Sequence, residues 1–337
     1  GSAGKTSVKE LTGFCLSKLS KTFISKKSFN NKFGVPLSIF NTPEKINYVV
    51  LEVGMDKKGE IDNLTKIINP DLGLITNISY AHIENFKNMN HIARAKGEII
   101  NNIIPGGTLV INKDDKYYNY FYNKAKKHKL NTISYSLKNR EANVFLLSEK
   151  KINNKYLLNL KINNKNRYFF ISKDLISFKQ NILATLGIIS NYFDVEKLNK
   201  NLFLKFTIPK SRGSIIMHKK ASKKLNIIDE SYNSNPLSLK FALEKFDNIY
   251  KEKNNKYLLI GDMLELGKYS KKLHIQIARH INKSKVNRVY TYGKLTKYTF
   301  NKLKPQIRGK MLKTDMEVAN LINKDLPNNS YLMVKGS

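Results

Sequence analysis

Gly1-Ser2-Ala3-Gly4-Lys5-Thr6-Ser7 opens the chain. It matches the closing half of the pattern G-x-x-x-x-G-K-[ST], in which backbone N–H groups, a lysine and a hydroxyl converge on phosphate. The first glycine of that pattern, and the strand that usually leads into it, would precede Gly1, so the sequence reads as a fragment that starts inside the motif. Beyond it, Val8, Leu11, Cys15 and Leu19 recur at helical spacing and no proline occurs before Pro36, which predicts a helix beginning at the loop. Such a helix turns its unpaired N–H groups and the positive end of its dipole toward an anion. Gly1, Ser2, Ala3, Gly4, Lys5, Thr6 and Ser7 are therefore the expected phosphate cradle, Lys5 its point charge and the Thr6 hydroxyl a magnesium ligand. A chance Gly-Lys-Thr-Ser in a lysine- and serine-rich chain would look the same, so the surroundings must decide.

Those surroundings are apolar runs that end in polar groups. Tyr48 to Leu51 reads as a buried strand with Glu52 at its carboxyl end, where open α/β sheets place ligands. Leu72 to Ile75 reads as another, ending at Thr76-Asn77, with His82 soon after. A carboxylate and a hydroxyl suit magnesium, a hard ion that prefers oxygen. Taken singly, Glu52 reads as a solvated strand-end acid and His82 as a surface or helix-start histidine.

The 337 residues suggest two domains at about 150 residues each. With 41% hydrophobic and 26% charged residues the bulk is neither disordered nor fibrous. The net charge of +34 puts nucleic acid or an anionic membrane among possible partners. The lysines, however, are scattered from Lys5 to Lys335 among asparagine and isoleucine, as biased base composition alone would leave them. The single cysteine, Cys15, cannot close an internal disulfide, no apolar run reaches the roughly 18 residues of a membrane span, and the start is not a signal peptide. The expected compartment is the cytoplasm.

Further segments make a specific pattern: NNKFGVPLSIF from Asn30, LEVGMDKKGEI from Leu51, ITNISYAHIENF from Ile75, IARAKGEII from Ile92, INKDD from Ile111, DESYNSNP from Asp229, GDMLELG from Gly261 and the closing VKGS. In order and spacing, together with the opening loop, they resemble the Mur ligases, ATP-dependent amide-forming enzymes of peptidoglycan precursor synthesis, across nearly the whole chain. The resemblance implies that Lys5 and Thr6 serve ATP and Mg2+, that Glu52 is a magnesium ligand, and that His82 is associated with a second magnesium. Lys96 matches a lysine that is carbamoylated in many of these enzymes; its bland alternative is a surface lysine. Asn235 matches an adenine-contacting asparagine, Arg212 an arginine reaching the nucleotide phosphates, and Asp262 and His274 lie near the same edge. The chain departs from the family around Ser211-Arg212-Gly213-Ser214 and before Asn181-Ile182-Leu183-Ala184, a segment that reads as structural.

The resemblance implies catalysis by Lys5, Lys96 and His82, in which ATP phosphorylates the terminal carboxylate of UDP-MurNAc-tripeptide and the amine of D-alanyl-D-alanine attacks. Such an enzyme would be a cytoplasmic monomer with small-molecule partners and no specific nucleic acid. Other Mur ligases and folylpolyglutamate synthetase share the ATP-using half; YNSNP and GDMLELG favour the D-alanyl-D-alanine adding member. A basic nucleic-acid-binding or scaffold protein that keeps the fold without the chemistry is the alternative of a different class, and it predicts binding with a steep salt dependence.

The expected fold is α/β. A P-loop-type, mostly parallel ATPase domain over 1–205 carries a small antiparallel meander between Asn143 and Ser172, with turns at Asn153-Asn154 and Asn163-Asn164. A helix over Asn181 to Phe193 follows, and Phe206 to Pro209 is the expected hinge. A Rossmann-like domain over 206–337 has strands at Leu225 to Ile228, Tyr257 to Ile260 and Tyr331 to Val334. The run Lys124 to Lys129 reads as a solvated helix face.

Overall fold

The computed structural model describes residues 1–220, 223–249 and 255–337. The chain divides into two compact units, Gly1–Ser79 with Asn85–Thr207, and Tyr80–Glu84 with Ile208–Ser337. The short 80–84 piece of the second unit lies, in chain order, between the two stretches of the first. Among the described residues no helix is long and apolar enough to cross a membrane.

The first unit starts with helix α1 (Lys5–Leu16), strand β1 (Thr22–Ile24), α2 (Gly34–Phe40), β2 (Tyr48–Val50), α3 (Glu60–Ile68) and β3 (Leu72–Ile75). It continues with α4 (Met89–Lys96), β4 (Thr108–Asn112), α5 (Tyr118–Lys127), β5 (Asn131–Ser136), β6 (Val144–Ile152), β7 (Lys155–Ile162), β8 (Lys165–Ser172) and α6 (Lys179–Tyr192). Strands β1 and β2 form a parallel pair, and β3 to β8 form a six-stranded sheet in chain order. That sheet is parallel from β3 to β6 and antiparallel from β6 to β8. All five residues of β4 are buried, as a parallel strand covered on both faces requires.

The meander extends this same sheet. Its turns are the two asparagine pairs: Ile152 faces Lys155 and Ile162 faces Lys165 across them, with Asn153, Asn163 and Asn164 at φ 51°, 46° and 67°. Asparagine tolerates this left-handed region better than most residues. Helix α1 lies against β1 so closely that a Cβ on Gly13 would sit 2.3 Å from the Ile24 side chain.

Three expectations are corrected here. The 48–51 run is not fully buried: Val49 is 45% exposed, because β2 has a single strand partner and alternates faces. Leu19 lies beyond the end of α1. In the 124–129 run Lys124 leaves the solvated face, its ammonium donating to the Gly97 carbonyl at 2.8 Å, and burial lowers its pKa.

The second unit contains β9 (Ser214–Lys220), β10 (Lys223–Asp229), α7 (Pro236–Ile249), β11 (Lys256–Gly261) and α8 (Ser270–Ile281). Then come β12 (Arg288–Tyr292), α9 (Thr296–Phe300), β13 (Arg308–Leu312), α10 (Asp315–Asn320) and β14 (Ser330–Lys335). The sheet order is β13-β12-β11-β14-β10-β9, parallel except for the antiparallel edge strand β9. Leu225, Tyr257, Leu259, Tyr290, Leu312, Leu321, Leu326 and Leu332 pack as one core cluster. The return of β14 between β10 and β11 creates a switch in strand order, and the crevice outside the carboxyl ends at such a point is where open α/β sheets bind ligands.

Candidate active site

The opening loop is held in shape by the carboxyl end of β3. The N–H of Ser2 donates to the Asn77 carbonyl at 2.8 Å and that of Ala3 to Asn77 Oδ1 at 2.9 Å. Asn77 Nδ2 and the Thr76 hydroxyl donate in turn to the Ala3 carbonyl at 3.1 and 2.7 Å. The Ser2 hydroxyl donates to the Ser79 carbonyl and accepts from the Ser79 N–H. Thr76 and Asn77, where the second apolar run ends, are anchors of the loop. The Ser2 and Ala3 amides take part in the same anchoring.

Gly4 then turns the chain into α1 with φ 81°, where a Cβ would also come within 3.0 Å of Asn181 Oδ1. Glycine answers both demands. The first helical bond runs from Val8 N–H to the Gly4 carbonyl at 2.9 Å, so the amides of residues 4–7 open the helix without an i−4 acceptor. They and the helix dipole form the anion-attracting end. Lys5 folds back, Nζ donating to the Gly1 carbonyl at 3.0 Å. Asn181, read as structural, thus packs beside the loop.

One turn into α1, the Thr6 hydroxyl donates to Glu52 Oε2 at 2.7 Å, while Asn30 Nδ2 donates to Glu52 Oε1 at 2.8 Å. Thr6 and Glu52 are 6% and 5% exposed. A buried carboxylate and hydroxyl side by side at a helix N-terminus are an all-oxygen donor pair, the chemistry Mg2+ prefers. The residues present fit that ion.

Lys96, at the end of α4, is only 3% exposed, which rules out the surface-lysine alternative. Its pKa is pushed well below the usual lysine range by burial and, secondarily, by the Lys5 ammonium. An amine so placed favours its neutral, nucleophilic form. Glu98, two residues on, accepts the N–H of Gly59 at 2.9 Å and of Asp62 at 3.3 Å, capping α3.

His82 belongs to the second unit. It adopts φ 59°, and its Nδ1 lies 2.6 Å from Glu265 Oε2 while the Glu84 N–H donates to the Glu265 carbonyl at 3.2 Å. Lys5, Thr6, Glu52 and Lys96 thus share one unit and His82 sits in the other.

At the carboxyl ends of the second sheet, Asp229 accepts from the hydroxyls of Ser211 at 2.8 Å and Ser231 at 2.6 Å. Between those serines the Arg212 guanidinium stacks on Tyr232 at 3.8 Å. Lys335 is 2% exposed; its ammonium donates to the carbonyls of Glu230 at 3.2 Å and Asn233 at 2.9 Å, tying β14 to the 229–235 turn. Asn235 Oδ1 accepts the Ser238 N–H at 3.0 Å, capping α7. Asp262 Oδ1 accepts the N–H groups of Leu295 and Thr296 at 2.9 and 2.8 Å. Buried His274 pairs Nδ1 with the Ser270 carbonyl at 2.9 Å, and its Nε2 accepts the Met263 N–H at 3.1 Å. These partners require the neutral tautomer protonated on Nδ1. The oxygens of Asp262 and Asn235 and the ring of His274 thus shape the loops at this edge.

Fold and site together define an α/β protein whose opening glycine turn leads into a helix beside a buried carboxylate and hydroxyl. The Mur ligase middle domain pattern matches residues 1–189 and the Mur ligase, glutamate ligase domain pattern residues 216–337. The chain belongs to the Mur ligase family.

It is 30% identical to the UDP-N-acetylmuramoyl-tripeptide--D-alanyl-D-alanine ligase of Rickettsia prowazekii (strain Madrid E), with all of this chain and 74% of the relative aligned. The namesake enzyme of Bacillus subtilis (strain 168) is 32% identical over 88% of this chain and 62% of its own length. The crystal structure of MurF from Acinetobacter baumannii superposes with a TM-score of 0.86 at 26% identity, covering all of this chain and 72% of that one. Against several curated relatives the chain spans less than two thirds of their length.

Proposed function

We propose that the intact protein uses ATP and Mg2+ to join D-alanyl-D-alanine to UDP-MurNAc-tripeptide in the cytoplasm, acting as a monomer and without nucleic acid. The names of the relatives supply the substrates. The observation that carries the reading is the Thr6–Glu52 contact at the start of a glycine-led helix. A carboxylate resists an amine because it is already negative and its oxygen leaves poorly; phosphoryl transfer removes both obstacles. In the first step the tripeptide carboxylate oxygen attacks the γ-phosphorus of ATP, giving an acyl phosphate and ADP. In the second the dipeptide amine attacks the carbonyl carbon, and phosphate leaves with the former carboxylate oxygen.

Lys5 and the opening amides of α1 would offset the phosphate charge and align donor with acceptor. Thr6 and Glu52, with Lys96 as its carbamate, would hold Mg2+, which neutralises phosphate oxygens when bound, and His82 is assigned to a second magnesium. The amine of Lys96 is suited to that modification, since only its neutral form adds CO2. From the second unit Arg212 and Asn235 would face the nucleotide, with Asp262 and His274 keeping the adjoining loops in shape.

The test is phosphate release by the intact protein. Release should require ATP, UDP-MurNAc-tripeptide and D-alanyl-D-alanine together, and should fall roughly a hundredfold or more in Lys5→Ala and in Glu52→Gln, as loss of a charge-stabilising group does. Near-normal rates in both variants would remove the phosphate and metal assignments.

A further inference from the structure

The carboxylate of Glu52 is gripped from two sides, and the second grip comes from a segment to which no role attaches so far. Asn30 sits in the loop between β1 and α2. Its Nδ2 donates to Glu52 Oε1 at 2.8 Å, and because an ionised carboxylate can only accept, the amide must turn its nitrogen toward it. The Asn30 carbonyl accepts the Gly54 N–H at 2.7 Å, so Asn30 holds the 52–54 turn by backbone and side chain together. Gly54 makes this approach possible: a Cβ there would lie 2.9 Å from Asn30 Cγ and 3.0 Å from its Oδ1. The glycine two residues after Glu52 is therefore the space into which Asn30 fits.

A carboxylate tied at one oxygen cannot rotate freely about its last torsion. With Oε1 on Asn30, the atom left to face the Thr6 hydroxyl is Oε2. We propose that Asn30 is a positioning residue for the cation site, fixing the carboxylate plane of Glu52 so that Oε2 and Thr6 Oγ1 present a ready-made oxygen pair to Mg2+. Gly54 is its steric partner. The inference rests on the metal assignment made above, and hydrogen-bonded outer partners of this kind orient a metal's ligands and raise its affinity.

The test measures Mn2+ binding, as a paramagnetic substitute, to the intact protein with a non-hydrolysable ATP analogue, read from the loss of the free Mn2+ resonance. Asn30→Ala, or Asn30→Ser should the alanine variant not fold, is expected to weaken Mn2+ binding about tenfold or more. Gly54→Ala should do the same without removing any polar group. In turnover assays both should raise the Mg2+ needed for half-maximal rate while leaving the KM for D-alanyl-D-alanine near wild type. A purely structural Asn30 would instead lower thermal stability with metal affinity intact, and wild-type Mn2+ binding by Asn30→Ala overturns the proposal. Glu52→Gln separates the two claims: if it binds Mn2+ normally, the cation site itself is misplaced; if it loses Mn2+ while Asn30→Ala does not, only the positioning role fails.

Discussion

At the scale of single residues, Lys96 shows how burial shifts a common side chain toward its neutral form. Desolvation and the neighbouring Lys5 ammonium both lower its pKa, which favours the neutral amine that CO2 requires, and the resulting carbamate would be an anion. Protein incubated with 13C-bicarbonate should therefore show a carbamate carbon resonance that is missing from Lys96→Ala; its absence from the wild type would remove Lys96 from the metal ligands. The helix start at Lys5 and the meeting of Thr6 with Glu52 join segments that the sequence singles out, because a loop, a helix start and a strand end each leave a local signature. Asn30, Asn77 and Asn181 were not legible in this way, because what makes them matter is a partner distant along the chain: Glu52 for Asn30, Ala3 for Asn77, the Gly4 turn for Asn181. An asparagine-rich sequence hides such residues well.

At the scale of elements, the meander turns offer a clean measurement. Asn163 and Asn164 both have positive φ, so Asn163→Gly with Asn164→Gly should leave unfolding stability close to wild type. Alanine at both should cost about 1–2 kcal/mol per site, as read by urea denaturation. Equal stability of the two double variants would show that the backbone there is not constrained. Helix α8 carries the second prediction. Burial lowers the pKa of His274, so the unfolded chain binds a proton more readily than the native one, and its contribution is complete above the unfolded value of about 6.5 and lost as pH falls below it. Denaturation from pH 8 to 5 should show this loss in the wild type and a shallower slope in His274→Gln; parallel curves would mean His274 already titrates normally. The strands foreseen in the second unit are the neighbouring central ones β10, β14 and β11, whose apolar runs are continuous. The strands β9, β12 and β13 went unread; β13, with Arg308-Gly309-Lys310-Met311-Leu312, is an edge strand, and in β12, between β11 and β13, Arg288-Val289-Tyr290-Thr291-Tyr292 breaks the continuous apolar run. Strand β2 was overread as buried for the converse reason: an apolar run says nothing about how many strands flank it.

At the scale of the whole molecule, the first of the two α/β units carries the glycine-led helix start with the Thr6–Glu52 oxygen pair, and the second a change in strand order where β14 returns between β10 and β11. The 80–84 piece, which carries His82 yet clusters with the second unit, could not be read from sequence, since chain order placed it inside the first domain. The charge of +34 has no role in the proposed chemistry. The central claim is that a carboxylate is activated by phosphoryl transfer, and one isotope measurement tests it directly. With UDP-MurNAc-tripeptide labelled with 18O in its terminal carboxylate, turnover by the intact protein with ATP and D-alanyl-D-alanine should release inorganic phosphate carrying one 18O atom. Unlabelled phosphate formed alongside the ligated product would contradict the account.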